Sequence, residues 1–103
     1  MIDVKNEKPA PGLESFANEF LSDRLIELEE MKKCIAVSDL GQVGKLAHKW
    51  KGFCAPYGFN HLEFLSESLE KTSRESDFDK SSSIINQISE YLSLKEQILK
   101  RSK

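Results

Sequence analysis

Apolar residues recur along this chain at three- and four-residue spacings, in four blocks separated by short polar breaks. In the first block Phe16, Phe20, Leu21, Leu25, Leu28 and Ile35 share one face, and Glu27, Glu29, Glu30, Lys32 and Lys33 supply the wet side. That pattern predicts a helix from about Leu13 to Val37. Ser38-Asp39 ends it, and Asp39 is a suitable N-cap for a second helix over Leu40 to Tyr57. The second helix places Val43, Ala47, Trp50, Cys54 and Tyr57 on its core stripe, with Gly58 as the residue just past its end. Asn60 followed by Glu63 reads as a capping box for a third helix, whose apolar side holds Phe59, Leu62, Leu65 and Leu69 and which ends near Thr72–Ser76. Asp77 or Asp79 starts a fourth, burying Ile84 or Ile85, Ile88, Leu92 and Leu99. No segment alternates in the manner of a strand. The expected fold is all-α, an antiparallel up-down four-helix bundle formed by residues 13–103. Residues 1–12, with Pro9, Pro11 and Gly12, read as a tail, or at most as a short extra N-terminal helix packed on the bundle.

Composition narrows the classes of function. The 103 residues make one domain, 39% hydrophobic and 31% charged, with a net charge of −2. Acidic and basic residues are interspersed, so there is no electrostatic footprint for nucleic acid or for an anionic membrane. No apolar run approaches the roughly 20 residues that span a bilayer. The opening MIDVKNEKPAPG has no apolar core of a secretory signal, so a cytoplasmic location is expected. Cys34 and Cys54 fall inside helical patterns and are expected as reduced, packed thiols.

The informative stretch runs from Ala47 to Phe59. On a wheel of about 100° per residue, with the core stripe near 0°, His48 falls roughly 140° away, Lys51 at roughly 80° and Gly52 at roughly 180°. Gly41, Gly44 and Ala55 share the histidine's side. A neutral imidazole is a nucleophile near neutral pH, small neighbours admit a second protein, and a nearby lysine can neutralise charge on a group being transferred. The plainer readings are a surface histidine without a role and a solvated lysine. A mid-helix glycine costs about 0.8–1 kcal/mol relative to alanine, so Gly52 needs a reason. It either opens the way to His48 or relieves the clash that Pro56, four residues on, makes with its carbonyl. On the first view Gly52→Gln leaves the helix intact or firmer. His61 lies off the third helix's apolar stripe and reads as a surface residue. With the cysteines facing the core and the histidines facing out, no close set of metal ligands is expected.

Residues 47–59, Ala-His-Lys-Trp-Lys-Gly-Phe-Cys-Ala-Pro-Tyr-Gly-Phe, resemble the signature of histidine phosphotransfer (HPt) domains. His48, Lys51, Gly52, Tyr57 and Gly58 fall on that pattern in register, and Leu62, Leu65, Leu69 and Glu70 resemble the rhythm of the family's next helix. The likeness covers roughly residues 15–100. It implies a phosphoryl carrier of a two-component phosphorelay, with His48 as phosphoacceptor, Lys51 as charge stabiliser and Gly52 as the gap that admits the partner. The implied partners are a response-regulator receiver domain and a sensor or hybrid histidine kinase. The carrier would have no ATP site and no enzymatic activity of its own, would need no cofactor, since Mg²⁺ belongs to the receiver, and would be a monomer. Three positions depart from the pattern: Trp50 stands where leucine is common, Phe53 replaces a small residue, and Pro56 bends the helix end. The rival readings are a non-catalytic HPt-like module that docks on a receiver or kinase, and an unrelated helical dimerisation or adaptor domain.

Overall fold

One backbone device recurs three times in the chain, after the first helix, after the second 3₁₀ turn and after the third helix. The structure, a computed structural model, describes residues 7–101. In it α1 spans Ala17–Ala36, α2 Leu40–Trp50, α3 Asn60–Arg74 and α4 Phe78–Arg101, with single 3₁₀ turns at Glu14–Phe16 and Ala55–Tyr57. After α1, Ser38 turns into the left-handed region (φ 59°), its N–H bonds the Ile35 carbonyl, and the Asp39 N–H bonds the Cys34 carbonyl at 2.8 Å. After α3, Ser76 (φ 57°) and Asp77 repeat that pattern on Ser73 and Thr72. Gly58 (φ 88°) and Phe59 repeat it after the second 3₁₀ turn, on Ala55 and Cys54. Each is a Schellman-type end that satisfies orphan carbonyls. The aspartates after the two serines cap the next helix: Asp39 accepts from the Gln42 N–H at 3.1 Å and Asp77 from the Lys80 N–H at 3.0 Å.

Short connections fold each helix back on the one before. Glu27 of α1 meets Lys49 and Trp50 of α2. Gly44 faces Ser73 while His48 faces Glu70, so residue numbers rise along α2 as they fall along α3. Thr72 bonds Ser81 at 2.8 Å and the His61 ring meets Tyr91, which gives the same opposed sense to α3 and α4. α1 and α4 are also neighbours, which closes the ring of four. The fold is the all-α four-helix bundle that the apolar pattern indicates. Between the helices lie Met31, Val43, Ala47, Trp50, Cys54, Phe59, Leu62, Leu69, Ile88 and Leu92, each with no exposed surface. No helix among the described residues is long and apolar enough to cross a membrane.

Several expectations need correcting. α2 stops at Trp50, not at Tyr57. Lys51 takes extended dihedrals (φ −63°, ψ 132°) and Gly52 follows at φ 96°, the sequence of angles of a type II turn, which favours glycine at its third position. Pro56 therefore never enters a helix interior; it sits inside the 3₁₀ turn, where its missing N–H costs nothing. Phe16 lies in the 3₁₀ turn ahead of α1 and is 47% exposed, off the core face it was expected to share. Arg24, a charged residue that the apolar pattern does not account for, is buried. Its guanidinium lies 4.6 Å from the Phe20 ring centroid and its Nε is 2.8 Å from Glu27.

The capping box of α3 does not form: no side chain at its N-cap accepts a bond. Glu7 does that work from outside. One of its carboxylate oxygens accepts the His61 N–H at 2.8 Å; the other takes the Tyr91 hydroxyl at 2.5 Å and lies 3.1 Å from the Lys95 ammonium. Lys95 is itself buried and also donates to the Gly58 carbonyl. Ala10 bonds the Pro56 carbonyl at 2.8 Å. From Glu7 onward, then, the segment expected as a tail is part of the bundle, without a helix of its own before Glu14 among the described residues; residues 1–6 lie outside the described part of the chain. Glu7→Ala should remove the cap and leave the Lys95 charge without its carboxylate, a loss of about 3 kcal/mol or more in chemical denaturation. Adding Lys95→Met should return much of it. A Glu7→Ala protein that unfolds together with the wild type would show that the segment carries no stability.

Candidate functional site

His48 occupies the last turn of α2 on the side facing α3, with its side chain 71% exposed. What holds its ring is Glu70, from the middle of α3. Nδ1 lies 2.5 Å from Glu70 Oε2. The same carboxylate accepts Lys51 Nζ on Oε1 at 3.0 Å, and Arg74 Nη2 stands 3.4 Å from Oε2. Glu70 is buried, only 11% of its side chain being exposed, so a charge there requires cationic partners. The Lys51 hydrogen bond comes first among the causes that hold its carboxyl below the usual value; burial acts against it and the His48 bond assists. At neutral pH Glu70 is therefore a carboxylate and can only accept. Nδ1 must carry the proton, which leaves the lone pair on Nε2. Nε2 has no polar partner among the described residues.

The approach of α3 to α2 makes that contact possible. A Cβ at Gly44 would stand 3.3 Å from the Ser73 Cβ. Gly44 thus sits in a tight contact between α2 and α3, where a Cβ would need Ser73 to give by a few tenths of an ångström, as well as lying on the histidine's side. Gly41 lies in the first turn of α2 and is exposed. Beside His48 runs an open groove of about 370 Å³ floored by Gly44 and Ser73 and edged by Leu40, Lys45 and Arg74. A second groove, about 360 Å³, lies on the far side of Glu70 between Lys51, Phe64 and Lys71.

Of the residues expected at the site, His48 and Lys51 are brought together through Glu70. Gly52 lies in the turn just beyond, with no atom within 4 Å of where a Cβ would be. It leaves room for a partner, and it also has a conformational reason of its own, its positive φ. Neither the helical Gly52 nor the Pro56 relief applies. Lys49, although next to His48 in sequence, turns the other way to Glu27. Trp50 donates from Nε1 to Glu27 at 3.0 Å, and Phe53 packs edge-on to Phe20 at 5.7 Å, both away from His48. His61 is half-buried rather than a free surface residue, stacked on Phe64 and edge-on to Tyr91, and burial lowers its pKa. Both cysteines are free; Cys54 points its thiol at the Trp50 carbonyl and burial pushes it up to about 12. No group of three or more His, Cys, Asp or Glu among the described residues is placed to hold a metal ion.

Glu70 and Arg74 were not among the expected site residues. Glu70 did carry a signal: it adjoins Leu69 on the apolar stripe, between Ser66 and Ser73, and a carboxylate there has to find a cation from a neighbouring helix.

Against known proteins, the chain matches no family model, no curated protein and no solved structure, so the interpretation of the site rests on its own geometry.

Because Glu70 has a lowered pKa in the fold, its ion pairs stabilise the protein above the unfolded value, near 4.5, and that contribution is lost as pH falls through the lower folded value. The melting temperature of Glu70→Ala should therefore lie below wild type at neutral pH and converge with it in acid. In long-range ¹H–¹⁵N spectra, neutral His48 should be protonated at Nδ1 in the wild type and lose that preference in Glu70→Ala. Gly52→Gln should destabilise by about 1–2 kcal/mol, because a side chain is strained at positive φ, and Pro56→Ala should not restore it. A firmer Gly52→Gln protein would show that α2 continues through the turn.

Proposed function

We propose that this protein is a phosphoryl carrier of the HPt type, accepting phosphate on His48 and exchanging it with an aspartate of a response-regulator receiver domain. The observation that carries the reading is an exposed imidazole whose Nδ1 is fixed on a carboxylate while Nε2 is left open. In the proposed transfer the Nε2 lone pair attacks phosphorus in line, the P–O bond to the donor aspartyl group breaks, and the donor leaves as a carboxylate. The ring, still protonated at Nδ1, takes up positive charge, and the Glu70 carboxylate faces that charge. Phosphoryl transfer makes little covalent demand on the protein, so orientation and charge placement supply the catalysis. Lys51 stands one side chain away to offset the negative oxygens. The reverse steps hand the phosphoryl on. The resemblance of residues 47–59 to the HPt signature supports the same reading, as does the absence of side-chain bulk at Gly52. The partner receiver would bring the Mg²⁺, and a cytoplasmic setting fits this role.

Incubated with a phosphorylated receiver domain or with phosphoramidate, the protein should gain one acid-labile, base-stable phosphate. His48→Gln should keep its fold and take up none, while His61→Gln should label normally. Lys51→Ala should slow labelling and lower the melting temperature modestly at neutral pH, because Glu70 loses the hydrogen bond it accepts from Lys51. Label that persists in His48→Gln and disappears in His61→Gln moves the site; no label in any variant leaves the docking module without chemistry as the better account.

A further inference from the structure

Arg74 is the residue at the site that neither the sequence motif nor the proposed attack has used. It ends α3, four residues after Glu70, and 73% of its side chain is exposed. Its one ionic contact among the described residues is long, a single nitrogen at 3.4 Å from Glu70 Oε2, the oxygen that also takes His48 Nδ1. It lines both grooves, the one beside His48 and the one on the far side of Glu70. A guanidinium has five donors in a rigid fork that matches a phosphoryl group in bidentate fashion, and here a single long contact is all that holds it. Nη2 can be no farther from His48 Nδ1 than the sum of those two contacts, and the arm is free to swing. Glu70, in turn, keeps Lys51 and His48 when Arg74 leaves, so the carboxylate is not stranded.

We infer that Arg74 is a second phosphoryl-binding cation, resting on Glu70 while His48 is free and moving to the phosphoryl oxygens when Nε2 is phosphorylated. The inference rests on the carrier reading above and extends it to the phosphorylated state. The covalent step is unchanged: the N–P bond forms at Nε2 and the donor's bond to phosphorus breaks. Arg74 contributes two hydrogen bonds to the product and to the transition state. Lys45 provides the internal comparison, since it edges the same groove, is exposed, and makes no bond to Glu70.

The test labels wild type, Arg74→Ala, Arg74→Lys and Lys45→Ala with phosphoramidate and follows ³¹P NMR and the melting temperature. Wild type should label. Arg74→Ala should melt close to wild type, label about five-fold or more slowly, and show a raised second pKa of the bound phosphoryl group, because the dianion has lost a cation. Arg74→Lys should recover part of both, a point charge without the fork; Lys45→Ala should resemble wild type. Equal labelling and an unchanged phosphoryl pKa in Arg74→Ala overturn the inference and leave the carrier reading intact. An equal loss in Lys45→Ala also overturns it, by reducing the effect to the general field of the groove. A wild type that takes up no phosphate from phosphoramidate or from a receiver removes the carrier reading itself.

Discussion

The close approach of α2 and α3 is the contact on which the site depends. Gly44 has no side chain and Ser73 has a small one, and the 3.3 Å that would separate a Gly44 Cβ from Ser73 is a tight contact. At that separation Glu70 spans to His48 and to Lys51 at once. The carboxylate is buried enough to need Lys51 and Arg74 as counter-charges and near enough to the surface that the ring it orients, His48, remains open to solvent. Lys51, Arg74 and the His48 N–H hold the carboxylate together, and the carboxylate in turn fixes the ring without enclosing it.

The turn after Trp50 performs a second positioning task. Had α2 run on to Tyr57, Lys51 would have stayed on the helix flank. Because the helix ends, the extended Lys51 backbone and the left-handed Gly52 aim the lysine at Glu70 from the C-terminal edge. The chain then reaches α3 through a 3₁₀ turn whose left-handed Gly58 lies against the Lys8–Pro9 backbone; a Cβ there would come within 2.7 Å of the Pro9 nitrogen. The end of the bundle beyond the site is thereby packed rather than open. Glu7, Tyr91 and Lys95 tie that end to both α3 and α4.

Much of this was readable from local patterns. The four helices, the Asp39 cap, Asp77 as one of two candidate caps for α4, the buried Trp50 and Cys54, and the exposed His48 follow from spacings of three and four and from capping chemistry, which act within a turn or two of chain. Helical phase alone put Trp50 in the core and His48 outside it, and α2 keeps that phase up to Trp50. The error at residues 51–57 has a local cause as well: Cys54 and Tyr57 continue the apolar spacing past a turn, because a buried residue on an ordered loop can mimic the next step of a helix.

What the sequence by itself determined is the set of amphipathic helices, their order, and the presence of an exposed histidine among small residues. What only the tertiary structure decided are the pairings between residues distant in the chain. Glu70 with His48 spans 22 residues, and Glu7 with His61 and Tyr91 spans 54 and 84. The capping box at Asn60 and Glu63 lost to Glu7 because a buried carboxylate anchored by Lys95 and Tyr91 is held over the α3 N-terminus. Arg24 went inside for a similar reason, since Glu27 and the Phe20 and Phe53 rings gave its charge a place. Periodicity reports which face of a helix is buried. It does not report which charge on a neighbouring helix will be within reach, because that depends on how closely two helices can approach, and here a missing side chain at Gly44 set that distance.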